Sequence, residues 1–211
     1  MIDPIPWRYR IAKRAVDTVC AAAGLIMLSP VLAVIALGVK RSSPGPAIHC
    51  ARRVGRDGEL FTLYKFRTMR VGARAQGPGV TVSGDPRITR IGAMLRRTKL
   101  DELPQLLNVV RGDMSLVGPR PEDPRYLDSY TVEQRQLLRL RPGITSAASL
   151  RYRAEEEILA AAVAAQGDLD AAYRTVQAEK LAFDLDHWQQ PSLRADLRLM
   201  LETVRAVAGR T

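Results

Sequence analysis

Asp101 and Glu102 stand side by side in the stretch TKLDELPQ, Thr98 to Gln105, with Arg90, Arg96, Arg97 and Lys99 just upstream. A carboxylate ringed by guanidinium groups stays ionised and can act as a nucleophile. The same cations, with a helix N-terminus, can hold an anionic phosphate against it. The second acid could then take a magnesium ion that bridges a diphosphate. A plainer use exists for the same residues. Thr98 and Asp101 have the spacing of a helix capping box. Pro104 is tolerated in a first helical turn, and acids there suit the helix dipole. Spacing permits both a cap and a nucleophile.

Composition narrows the chemistry around this pair. The 211 residues suffice for one domain, or for a compact domain with an appendage, and a hydrophobic content of 46% is globular. A net charge of +10 and a pI near 10.2 imply an anionic partner. Nucleic acid is disfavoured as that partner: only 5% of residues are aromatic, and no helix-turn-helix, zinc or stacking-platform motif is visible. The two cysteines, Cys20 and Cys50, support neither a disulfide framework nor a zinc site and fit a reducing cytoplasmic setting. His49 and His187 lie far apart in the chain and read as packing or surface residues.

The element nearest the N-terminus must set where this chemistry happens. Thr18 to Val39 is a run of 22 residues without a formal charge, about the length that crosses a bilayer as one helix. It is too long and too evenly apolar for a signal peptide. Arg8, Arg10, Lys13 and Arg14 precede it, and Lys40, Arg41, Arg52 and Arg53 follow it. Basic residues stay on the cytoplasmic side, so both ends belong there. Pro30 supplies a break, because it lacks an N–H and crowds the carbonyl four residues back. The Ser29 hydroxyl is placed to donate to the freed carbonyl. These features predict a re-entrant helix-break-helix over residues 1–41, hinged at Ser29 and Pro30.

Residues 42–211 read as one cytosolic catalytic domain. Pro44 to Pro46 marks a turn, Arg56–Glu59 a hairpin turn, and LFTLYKF alternates as a strand. Gly72 to Gly84 is a small-residue loop without the spaced glycines of a dinucleotide site or P-loop. Ile88 to Val110 reads as helix in two pieces with a boundary near Lys99–Pro104, and Leu100, Leu103, Leu107 and Val110 are predicted to face a core. GDMSLVGPRPED is predicted to be a loop around Arg120. Helices follow from about Ala154 to Ala182, and an amphipathic one from Leu193 to Val207. The fold class expected is α+β, mainly helical, with a small β element.

Three longer stretches, YKFRTM, DPRITRIGAMLRRTKLDELPQLLNVVRGDMSLVGPRPE and RPGIT, together with LSP in the apolar run, resemble the bacterial sugar transferases, the small monotopic phosphoglycosyl transferases. The likeness runs from about Lys13 to Thr145 and continues more loosely to the end. It departs at Ala51, where the family often has glutamine, and after RPGIT, which puts the choice of sugar in doubt. The long members carry an extra multi-helix membrane region, and the likeness here is to members without it. The resemblance implies transfer of a sugar-1-phosphate from a UDP-sugar to a polyprenol phosphate, such as undecaprenyl phosphate, at the cytoplasmic face of the bacterial inner membrane, releasing UMP. It implies Asp101 as the covalent nucleophile, with Glu102 its partner at a Mg2+ site. By the same resemblance Arg96 and Arg120 lie near the phosphates, with Lys65, Arg67 and Arg141 as further phosphate-binding candidates. The implied partners are the UDP-sugar, the polyprenol phosphate and membrane lipid, and a homodimer is one option for assembly.

Overall fold

The computed structural model describes residues 5–72, 81 and 84–209, so most of the glycine-rich loop expected at Gly72–Gly84 lies outside the described residues. The chain is mainly helical, with two small two-stranded sheets.

The apolar run forms the centre of helix α1, Trp7–Ser42. It is long and apolar enough to cross a membrane. One stripe of it, Ala21, Leu25, Leu28, Leu32, Ile35 and Val39, packs on the rest of the protein. These positions recur at three- and four-residue steps, as one helix face requires. The other faces are left bare: Ile26 is 75% exposed, Met27 78% and Val34 71%. Apolar side chains this exposed in a continuous run call for lipid around them.

The hinge expected at Ser29–Pro30 lies inside one helix rather than between two. Helix α1 is assigned without interruption across Pro30. Proline removes one donor, the N–H that would bond the carbonyl of Ile26. The Ser29 hydroxyl donates to that carbonyl at 2.8 Å, so the lost hydrogen bond is replaced locally and the helix persists.

Both ends of α1 are tied to the same folded unit. Near its start, Arg14 donates to the carbonyls of Val109 and Val110 at 2.6 and 3.0 Å. Asp17 accepts from the Ser115 hydroxyl and the Leu116 N–H. Near its end, buried Val39 joins a cluster with Ala47, Phe66 and Leu95.

Strands β1, Ile48–Val54, and β2, Leu60–Phe66, form an antiparallel hairpin in which Ile48 faces Phe66 and Val54 faces Leu60. The turn lies where the sequence predicts it. Asp57 and Gly58 take left-handed φ of 57° and 83°, a conformation that Asp and Gly tolerate. Helix α2, Arg90–Arg97, follows, capped by the Thr89 hydroxyl, which accepts from the Gly92 N–H. Gly92 packs so closely on β2's continuation that a Cβ there would lie 2.0 Å from the Thr68 carbonyl oxygen. Helix α3 is Gln105–Arg111.

The buried face of α3 is one position out of phase with the sequence pattern. Leu106 and Val109 are in the core, whereas Leu107 is 36% exposed. The tight turn at Leu100–Glu102 and the proline before α3 interrupt the 3.6-residue period on which the expectation rested. The stretch expected as a loop contains strand β3, Ser115–Val117, which pairs in parallel with β4, Gly143–Thr145, from the RPGIT segment. Helices α4, Ala147–Arg151, α5, Glu155–Gln166, α6, Leu169–His187, and α7, Leu193–Ala208, complete the chain.

Candidate active site

Between α2 and α3 the chain reverses through Lys99, a non-glycine residue at φ 57°. The single 3-10 turn Leu100–Glu102 follows and points Asp101 inward. Asp101 is only 5% exposed, and its Oδ1 has no hydrogen-bond partner among the described residues. The capping alternative fails on three counts. Thr98 closes α2 rather than opening α3, its hydroxyl donating back to Met94 and Leu95. No side chain caps α3. A capping carboxylate would have accepted an N–H, and Asp101 Oδ1 accepts none.

Asp101 lines a cavity of about 830 Å3 together with Glu102, Lys65, Arg53, Arg96 and Arg120. Asn108 fixes the strand that carries Lys65. Its amide donates to the Thr62 carbonyl at 2.7 Å and its oxygen accepts from the Tyr64 N–H at 3.1 Å. Through those two bonds α3 grips β2 on either side of Leu63, which holds Lys65 in register with the Asp101 turn. Arg96 spans the cavity: Nε donates to the Thr68 hydroxyl at 2.9 Å and an Nη to Glu156 at 2.7 Å. Arg120 stands 3.9 Å from Glu102.

The charges here are balanced close to neutrality of the two central groups. Burial pushes the Asp101 carboxyl up to about 6, Glu102 adds to the rise, and Lys65, Lys99 and Arg96 oppose it. Burial pushes the Lys65 ammonium down to about 8, against the attraction of Asp101 and with the repulsion of Arg96 and Arg53. At neutral pH the pair is therefore carboxylate and ammonium, each within reach of titration. A buried carboxylate with an unpartnered oxygen is poorly stabilised as an anion and correspondingly reactive toward an electrophile held by cations.

Two of the sequence candidates are not at this cavity. Arg67 is 6% exposed and spends all five N–H donors on protein oxygens: the carbonyls of Pro46, Pro44, Ser43 and Val39 and the Ser43 hydroxyl. It seals the C-terminal end of α1 and has no donor left for a phosphate. Arg141 donates through Nε to the Gly112 carbonyl and lines a separate, smaller cavity. Ser29 and Pro30 lie within α1, remote from the carboxylate pair in sequence and exposed. An Arg67→Ala variant is expected to lose about 2–4 kcal/mol of stability, since five buried acceptors lose a charged donor. The melting temperature should fall, with the KM for any donor unchanged in the protein that folds. A raised KM at unchanged melting temperature would contradict the sealing role.

Several residues that the fold brings here carry no signal in the sequence. Glu155 and Glu156, in the first turn of α5, face the cavity, as do Glu122 and Tyr173. Burial acts to raise Glu155, but Lys180, which donates to it at 2.6 Å, and Arg120 hold it down to about 2. The Tyr173 hydroxyl donates to Glu122 at 2.9 Å. Acids in the first turn of a helix read as dipole partners, and only the packing of α5 over the Asp101 turn makes them neighbours of the arginines.

Among the described residues no three carboxylate, histidine or cysteine side chains gather as a ready metal cage. Magnesium is commonly held by one or two carboxylates plus substrate phosphate oxygens. The adjacent Asp101 and Glu102, one with an unpartnered oxygen, fit that arrangement.

Residues 8–210 match the family model described as bacterial sugar transferase. The chain is 39% identical over 201 residues to a UDP-glucose:undecaprenyl-phosphate glucose-1-phosphate transferase of Caulobacter vibrioides, covering 92% of this chain and 68% of that one. It is 37% identical over 209 residues to the Escherichia coli protein of the same name, covering 95% of this chain and 41% of that one. Against the exopolysaccharide production protein ExoY of Rhizobium meliloti the identity is 35% over 212 residues, covering 93% and 85%. The chain thus spans less than half of the Escherichia coli relative and most of the Rhizobium one.

Proposed function

The chain belongs to the bacterial sugar transferase family, and we propose that it moves a sugar-1-phosphate from a UDP-sugar to a polyprenol phosphate through a covalent intermediate on Asp101. The observation that carries this reading is the buried Asp101 oxygen without a partner, in the wall of a cavity ringed by Lys65, Arg96 and Arg120. The names of the relatives, which include UDP-glucose:undecaprenyl-phosphate transferases and an exopolysaccharide production protein, support the substrate class and a role in surface-glycan assembly.

In the first step an Asp101 oxygen attacks the sugar-bearing phosphorus of the donor. The bond from that phosphorus to the UMP oxygen breaks, and UMP leaves with the electron pair. In the second step a phosphate oxygen of the polyprenol phosphate attacks the same phosphorus, the acyl phosphate bond breaks, and Asp101 is regenerated as the product diphosphate leaves. Two steps let a water-soluble donor and a lipid acceptor use one site in turn. Lys65, Arg96 and Arg120 offset charge on the phosphoryl oxygens. Arg96 would exchange its bond to Glu156 for one to the donor. Glu102, with Asp101, would hold a magnesium ion that neutralises diphosphate charge.

The reaction sits at the cytoplasmic face of the membrane, with α1 bent at Pro30 as a re-entrant, monotopic element. Supporting this are the basic flanks at both ends and the attachment of both ends to one folded unit, Arg14 to α3 and Arg67 to the last turn of α1. Labelling of an engineered cysteine before Thr18 from the periplasmic side would sink that topology.

The test of the reaction is UMP release by purified protein with undecaprenyl phosphate and a panel of UDP-sugars. One or more donors should give UMP in the presence of magnesium and none in excess chelator. No release with any donor would reject the transfer, and full release in chelator would reject the metal alone.

A further inference from the structure

Away from the Asp101 cavity, six basic side chains converge at the N-terminal end of α1. Arg10, Lys13 and Arg14 come from α1 itself, Arg56 from the β1–β2 turn, and Arg139 and Arg141 from the segment before β4. Between them is a small cavity of about 60 Å3. A single water needs about 10–15 Å3 on this measure, so the space suits a group of several heavy atoms, such as a phosphate.

The charges around this cavity are only partly cancelled by the protein. Arg14 and Arg141 donate only to neutral carbonyls. Lys13 is committed to Asp196 at 2.9 Å, and Arg56 to Asp57 at 3.0 Å. The side chains of Arg10 and Arg139 have no acceptor among the described residues, and both are exposed. One carboxylate, Asp17, reaches the cavity; it accepts from the Ser115 hydroxyl and the Leu116 N–H, lies 3.8 Å from Lys13 and offsets one of the six charges. Burial, with repulsion from Arg56, Arg14 and Arg10, pushes the Arg141 guanidinium down. So many cations drawn from three segments to one hollow are stabilised by a bound anion.

The position of the hollow identifies the source of that anion. It lies at the basic end of the apolar helix, where Trp7 and Ile11 are exposed. Helix α7 is fastened to the same end, Asp196 accepting from Tyr9 and Lys13. It exposes Leu193, Leu197, Leu201 and Val204 at helical spacing, the pattern of a helix lying in a membrane interface. Tryptophan and basic side chains at such a helix end sit at headgroup level, where anionic lipids concentrate.

We propose that the hollow formed by Arg10, Arg14, Arg56, Arg139 and Arg141 is a phosphate-binding site, separate from the Asp101 cavity, that takes the headgroup phosphate of an anionic phospholipid. The proposal requires that the protein associate with a membrane and does not depend on the transfer reaction. It is tested on the full chain in neutral detergent, by melting temperature with and without phosphatidylglycerol, and separately with inorganic phosphate. Phosphatidylglycerol should raise the melting temperature of the wild type. The rise should be largely lost in Arg10→Gln/Arg139→Gln, whose side chains hold nothing else in the fold. It should be kept in Arg52→Gln/Arg151→Gln, which removes the same charge elsewhere. Absence of a rise in the wild type, or an undiminished rise in Arg10→Gln/Arg139→Gln, overturns the site. An equal rise with inorganic phosphate alone keeps the phosphate site and overturns the lipid as its source.

Discussion

Asp101→Asn is expected to abolish turnover and, in the same protein, to raise the melting temperature at pH 7.5. Asparagine has nearly the same shape and cannot form the acyl phosphate, so UMP release should fall by roughly 10^4-fold or more. No labelled enzyme should form from a donor carrying radioactive sugar. The stability gain follows from the carboxyl group's position. Its folded-state pKa is raised to about 6, above the usual value near 3.9 for an unfolded chain. The folded protein therefore holds the proton more tightly than the unfolded one, and ionisation costs stability as pH rises through this window. Above about 6 the cost is fully present, and below about 4 it is absent. Asparagine removes it at every pH. The variant should melt higher at pH 7.5, by about 2–4 °C for each kcal/mol recovered, and the advantage should vanish toward pH 4. A residue that merely shaped the turn would leave UMP release intact. Near-normal turnover in Asp101→Asn would end the covalent reading.

What the sequence could convey of this site divides by the range of the interactions involved. The carboxylate pair, the hairpin turn at Asp57–Gly58 and the apolar length of α1 are local: each depends on residues within a few positions, and each was legible. The Ser29 hydroxyl bond to Ile26 is equally local, and it replaces the hydrogen bond that Pro30 removes. The alternatives at Thr98–Asp101 could not be separated, because a cap and a nucleophile share one spacing. The left-handed turn at Lys99 speaks against the cap, by burying the carboxylate and leaving one oxygen without a donor. The family resemblance carried Arg67 and Arg141 as phosphate candidates, but a motif does not say what a guanidinium touches. Arg67 is consumed by the carbonyls around the end of α1, and Arg141 faces a different hollow. Long-range packing alone brings Glu156 of α5 to Arg96, 60 residues away in the chain, and pairs β3 with β4.

Lys65 offers the second large effect, because its charge and that of Asp101 are set against each other. In the proposed reaction, turnover requires Asp101 without its proton and, for charge on the phosphoryl oxygens, Lys65 with one. The rate at low donor concentration should rise through about pH 6 as Asp101 loses its proton. It should fall through about pH 8, giving a bell centred near 7. Lys65→Met should lower kcat/KM by roughly 10^2–10^3-fold, the loss typical of one donor aimed at developing charge. Its acid limb should also move above 6, since Lys65 is the largest of the charges that hold the Asp101 pKa down. Its basic limb near 8 should disappear with the group that titrates. Lys65→Arg separates charge from titration: the guanidinium stays protonated, so part of the rate should survive while the basic limb is lost. A structural lysine that only filled space beside β2 would change the size of the bell and leave both limbs where they are. An unmoved acid limb in Lys65→Met would show that the ammonium does not face Asp101 during turnover.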